Sequence, residues 1–200
     1  MHNKTTAQAQ ILPTMNTKTQ TQTRTKPRTR TEIILAVMHI IAWLVFIGFA
    51  IEAGAILISY GVSTVNPEGA KNLYKGANLY SLRQYSFWQY TQYVFYMAGG
   101  PVLKAFICYQ VIKTIMGINL AAPFRMEILR RLELISYTLF GAFILSLLNT
   151  VHADWLLKTT GVQYPVTDFG GSLFAAGLVF VIAQIFRRGV EMQSENELTV

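Results

Sequence analysis

The chain reads as an all-α integral membrane protein, a four-helix bundle with both termini in the cytoplasm. Three observations predict this. Four apolar stretches, at roughly 33–60, 88–117, 132–157 and 169–186, are each near or above the approximately 20 residues that a helix needs to cross a hydrocarbon core about 30 Å thick. None alternates apolar with polar residues as a barrel strand does, and in lipid every backbone N–H and C=O needs an internal partner, so the spans are helices. Basic residues, finally, switch from rich to poor between successive connections. Composition agrees: of 200 residues, 52% are hydrophobic and 14% charged, which is more apolar than an ordinary soluble domain. No segment between the spans is long enough for a soluble domain, so the bundle is one folding unit.

The elements follow in order. Residues 1–32 carry Lys4, Lys18, Arg24, Lys26, Arg28 and Arg30 against one acid, Glu32. Over 17–31, Thr alternates with Lys, Gln and Arg around Pro27 with almost nothing to bury, which predicts a disordered basic tail, solvated or lying along anionic headgroups. In the first span Ala53-Gly54-Ala55 resembles a signal cleavage site. The apolar run before it already exceeds a signal core and continues through Ile56-Leu57-Ile58, so an uncleaved span is expected. A long Tyr-rich loop leads to the second span, where Gly99-Gly100-Pro101 predicts a kink or a short unwound segment, because proline removes a donor and crowds the preceding turn. Small residues four apart, Ala50 with Gly54 and Gly171 with Ala175, suit close helix approach within the chain or in a homo-oligomer.

Orientation comes from the bases. The six in the first tail join Lys113, Arg125, Arg130, Arg131, Arg187 and Arg188 to make twelve of the seventeen Lys and Arg. The opposite loops hold Lys71, Lys75, Arg83 and Lys158, and Lys104 lies inside the second span. Twelve against four places both termini and the second loop in the cytoplasm. Tyr60, Tyr80, Tyr85, Trp88 and Trp155 then form an aromatic belt at the outer boundary. The same topology accounts for the net charge of +7, so direct nucleic-acid binding is not expected.

Glu52 and Lys104 are the charges deepest in apolar surroundings, where an unpaired charge costs several kcal/mol, roughly 3 on insertion scales. They are candidate functional positions, as a structural pair, the lining of a wet crevice or part of a transport path. Counted from the span ends at about 1.5 Å per residue, their depths differ by roughly 10 Å. Metal and catalytic constellations are missing: His39 stands alone, His152 with Asp154 has no further ligands, and no nucleophile has a base at usable spacing. Cys108 is the one cysteine, so there is no disulfide framework. The expectation is a protein without cofactor or metal, and not an enzyme.

The second loop runs Pro123, Phe124, Arg125, Met126, Glu127, Ile128, Leu129, Arg130, Arg131. Proline suits a first helical turn, and Phe124, Ile128, Leu132 and Ile135 share one stripe, which predicts a helix start lying at the interface. Glu127 and Arg131 form a weak i, i+4 pair, and Arg125, Arg130 and in part Arg131 make a basic face suited to anchoring on lipid headgroups. After the fourth span, residues 187–200 form a C-terminal tail. If its helix continues, Glu191 and Glu195 share a face that can dock on Arg125 and Arg130; the alternative is a solvated tail.

These two segments, Pro123-Phe124 with Glu127 and Arg131-Leu132, and Phe186-Arg187-Arg188-Gly189-Val190-Glu191 with Glu195-Asn196-Glu197-Leu198-Thr199-Val200, resemble domain-of-unknown-function family 2975. The resemblance spans roughly residues 33–200, with Glu197 where the family more often has Asp, and excludes the basic tail and the Tyr-rich loop. It implies a small four-span protein of the bacterial inner membrane with no attached enzymatic activity, often encoded beside a helix-turn-helix regulator. Pro123, Phe124, Arg125, Glu127, Arg130, Arg131, Glu191, Glu195, Asn196 and Glu197 are then candidates for docking such a cytoplasmic partner. The alternatives are a small permease or channel subunit that uses Glu52 and Lys104, and a structural membrane bundle.

Overall fold

The structure, a computed structural model, describes residues 29–118, 124–166 and 170–198, with side chains to 195. Among these residues the order is α1 (Arg30–Val65), a 3-10 turn (Pro67–Asn72), α2 (Tyr80–Tyr85), α3 (Phe87–Gly117), α4 (Met126–Thr160) and α5 (Gly170–Leu198), with no strand. Helices α1, α3, α4 and α5 are each long and apolar enough to cross a membrane. At 36 residues α1 is about 54 Å long, well beyond the hydrocarbon thickness, so it overruns the bilayer or tilts.

Local chemistry sets the ends. Thr29 and Glu32 form a capping box: Glu32 N–H donates to Thr29 Oγ1 at 3.3 Å and Thr29 N–H to the Glu32 carboxylate at 2.9 Å, which satisfies two otherwise orphaned donors. Ser86 accepts from Gln89 N–H to start α3. Gly161, at φ 72°, ends α4 in the left-handed conformation that glycine adopts without a Cβ penalty. The expected interruption of the second span is absent as an unwound segment, since α3 is helical straight through Pro101. The basic tail lies almost wholly outside the described residues.

The long helices pack in sequence, α1 on α3, α3 on α4 and α4 on α5, and among the described residues no other pairing of long helices occurs. The chain thus makes two hairpins joined side by side through α3 and α4. Where α3 meets α4, Gly99 lets the Leu145 side chain close in: a Cβ there would stand 2.7 Å from Leu145 Cδ2. The small residues singled out in the sequence do not serve this purpose, because a Cβ on Gly54 or Gly171 meets nothing within 4 Å.

The densest packing lies at the end of the helices opposite the termini. There the Tyr-rich connection folds down as a cap, and Ala70, Leu73, Leu79 and Leu82 bury almost completely against Ile56, Tyr90, Tyr93, Val94, Leu156 and Tyr164. Leu79 N–H donates to the Ala70 carbonyl at 2.8 Å, and Arg83 donates to the Thr64 carbonyl at 3.1 Å, tying the cap to the end of α1. The Ser63 and Tyr90 hydroxyls lie 2.6 Å apart between α1 and α3, and those of Tyr60 and Thr91 lie 3.0 Å apart beside them. Tyr93 OH donates to the Pro165 carbonyl, and its ring packs on Tyr164, which brings the α4–α5 connection over the same end. The aromatic belt is therefore only partly a lipid-facing girdle. Tyr85, Trp88 and Trp155 are exposed, whereas Tyr60 hydrogen-bonds inside and Tyr80 lies under Lys71 within the cap.

Candidate functional site

Among the described residues, charged side chains from separate elements come together in two regions. The first is a cavity of about 500 Å³ beneath the cap, lined by Glu52 and Ile56 of α1, Met97, Pro101 and Lys104 of α3, Tyr74 to Asn78 of the cap, and Gln163, Tyr164 and Pro165 of the last connection. Glu52 and Lys104 thus line one space. Cross-helix contacts set their levels: Phe46 packs on Tyr109, the Lys104 ammonium lies 5.5 Å from the centre of the Phe49 ring, and Tyr60 meets Thr91. Lys104 is level with Phe49, three residues before Glu52, an offset of about 4.5 Å along the axis. That is less than half the offset expected from span ends. The difference arises because α1 runs on to Val65, which shifts its register against α3.

The ion pair that Glu52 makes is with Lys75, at 3.4 Å, a residue of the cap that sequence reading did not single out. Lys75 is the one described non-glycine residue with positive φ, at 49°. Its turn is held by Leu73 N–H to the Ala77 carbonyl (3.0 Å), Ala77 N–H to the Tyr74 carbonyl (2.9 Å) and Gly76 N–H to Asn72 Oδ1 (3.2 Å). A hydrogen bond with Tyr74, and after it the charge of Glu52, raise the Lys75 pKa above the ordinary lysine range. On the α3 wall, Pro101 has no N–H to give the Met97 carbonyl one turn earlier, and both residues face the cavity.

The second region is the end that carries the termini. Helix α5 continues past Arg187 and Arg188 to Leu198, as the spacing of Glu191 and Glu195 requires, so both acids stand exposed on a helix. Glu191 pairs with Arg188 on its own helix at 3.0 Å, while the pair that links helices joins Arg187 to Glu133 of α4, an acid not anticipated from sequence. The i, i+4 pair of Glu127 with Arg131 is present at 2.5 Å. Arg130 lies exposed, and with Gln110, Glu127 and Arg131 it lines a shallow hollow of about 460 Å³ between α3 and α4.

Phe124 departs from the stripe expected of it. Arg125 is extended, at φ −119° and ψ 138°, so Phe124 precedes α4 and its ring crosses to α5, 5.1 Å from the Phe186 ring and directly over buried Gly189. Ile128 and Ile135 do bury as that stripe requires. Pro123 lies outside the described residues, as do the side chains of Asn196 and Glu197. Of the histidines, His39 accepts from the Trp43 indole N–H (3.1 Å), and His152 lies 2.7 Å from Gln89 Oε1. Among the described residues no group of His, Cys, Asp and Glu could hold a metal.

Four spanning helices, an apolar exterior and, among the described residues, charge confined to the ends and one cavity define a multi-pass membrane protein. The chain belongs to the family described as "Protein of unknown function (DUF2975)", whose model matches residues 65–200. The match begins where α1 ends, so Lys75, Lys104 and the whole terminal-end cluster fall within it and Glu52 does not. No curated protein and no solved structure matches the chain.

Proposed function

We propose that the protein docks a soluble cytoplasmic partner at the end that carries its termini, with a helix-turn-helix regulator as the partner of choice, in the inner membrane of a bacterium. The excess of Lys and Arg at that end supports a cytoplasmic orientation. The observation that carries the reading is the continuation of α5 beyond its arginines as a helix to Leu198. A soluble partner would meet Glu191 and Glu195 on a rigid helix already held to α4 by Arg187–Glu133 and to the second loop by Phe124 over Gly189. A preformed surface of this kind lowers the ordering cost of binding. Arg130 and Arg125, exposed at the neighbouring end of α4, supply opposite charge for a partner with mixed acidic and basic faces.

The test is capture from native membranes in mild detergent, comparing the full chain with a variant carrying Glu191→Lys and Glu195→Lys at equal insertion. A helix-turn-helix protein recovered with the parent and reduced at least tenfold with the variant supports docking through α5. Equal recovery from both, or none from either, removes it. A second reading, a small permease or channel subunit, draws on the placement of Glu52 and Lys104 around one cavity. It requires solute flux in proteoliposomes that Glu52→Gln abolishes.

A further inference from the structure

The cavity beneath the cap has the charge pattern of a binding site. It presents two ammonium groups and one carboxylate, spaced along the helix axis with Lys104 deeper and Glu52 nearer the cap. Glu52 is paired with Lys75, and the Lys104 ammonium lies over the Phe49 ring. The Lys75–Glu52 pair is long, at 3.4 Å, and its lysine side chain is 72% exposed, so solvent screens it and a competing ammonium can displace it at low cost. Lys75 is also held in a left-handed backbone conformation that non-glycine residues rarely adopt, and such strain is concentrated at ligand clamps and switch regions. Tyr74, Tyr164 and Asn78 add an aromatic and amide rim around a volume large enough for a small organic molecule.

We propose that this cavity binds a group carrying a primary ammonium and a phosphate separated by a short carbon linker, the ammonium on Glu52 and the phosphate on Lys104 with Lys75 closing over it. The lining bears one more positive than negative charge, which a phosphate monoester with one ammonium, about −1 overall, matches better than a neutral amino acid, and either ester of phosphate offers more acceptor oxygens than a carboxylate. An aminophospholipid headgroup carries such a pair of groups, although reaching Lys104 would draw its phosphate well below the boundary, since Lys104 lies midway along α3. The same chemistry is carried by a free amino-alcohol phosphate. The inference is independent of docking at the opposite end.

The test uses the full chain purified in dodecyl maltoside and two probes. O-phosphoethanolamine is titrated against thermal unfolding, with ethanolamine, inorganic phosphate and glycine as controls. Separately, the chain is reconstituted in nanodiscs of phosphatidylglycerol with and without phosphatidylethanolamine, and retained lipid is read by native mass spectrometry. A saturable rise in Tm with O-phosphoethanolamine identifies a free solute. Selective retention of phosphatidylethanolamine with no response to the soluble probe identifies the headgroup. In either case Lys104→Gln and Glu52→Gln weaken binding at least tenfold, whereas Lys104→Arg, which keeps the charge and guards against simple misfolding, retains it within about threefold. Equal binding of glycine overturns the phosphate assignment. No response to either probe, or binding unchanged in Lys104→Gln and Glu52→Gln, overturns the proposal.

Discussion

The ring of Phe124 covers Gly189 so closely that a Cβ at that glycine would stand 2.5 Å from the ring edge. Here the absence of a side chain is what joins the second loop to α5. Gly189→Ala is expected to push the ring off its seat and cost about 1 kcal/mol, at the low end for overpacking because Phe124 is itself 40% exposed. In a double-mutant cycle Phe124→Ala should then cost less in the Gly189→Ala background than alone. Additive losses, measured by thermal unfolding in detergent, would show that the ring does not depend on the glycine.

Arg187 and Glu133 form the ion pair that ties α5 to α4, with Glu133 only 18% exposed. Glu133→Gln and Arg187→Gln are each expected to destabilise the protein by about 1 kcal/mol, with a coupling of roughly 0.5–1 kcal/mol between them. A coupling of zero would place the pair among the many surface contacts that contribute nothing measurable.

Ser63 and Tyr90 pair their hydroxyls at 2.6 Å where neither is exposed. Ser63→Ala leaves the tyrosine hydroxyl without that partner, with an expected loss of about 1–3 kcal/mol. Tyr90→Phe in the Ser63→Ala background should recover part of it, because removing both polar groups is gentler than orphaning one. A double variant less stable than Ser63→Ala would contradict this.

Lys75 offers a test that separates backbone from charge. At φ 49°, Lys75→Gly relieves the left-handed strain and Lys75→Ala does not, so the glycine variant should be the more stable of the two by roughly 1 kcal/mol. Both remove the ammonium that faces Glu52. Should the alanine variant unfold at the higher temperature, the turn does not hold its left-handed form in solution.

The four spans were legible because apolar length is a local property of the chain, and so was the pair Glu127–Arg131, set by helical spacing alone. Register between helices was not. α1 is apolar all round, with Leu44 and Ile51 exposed and Ile56 buried, so periodicity says nothing about which face meets α3. Glu52 stood out as a charge among apolar neighbours, whereas its partner Lys75 lies 23 residues away in a connection. The visible signal was Gly76 after Lys75, a turn mark in a loop whose Tyr and Leu content already exceeded what a solvated linker needs. Phe124 misled because a stripe counted through it assumes helix, and the extended Arg125 breaks the count.

The core of the cap takes Leu73 and Leu82 from the first connection and Leu156 and Tyr164 from the second hairpin. During synthesis the first hairpin therefore reaches the bilayer with a hole in its packing that is filled only after α4 has crossed. Biogenesis of this end is consequently a late event, and chains truncated before Leu156 should be substrates for membrane quality control even though their first two spans have inserted.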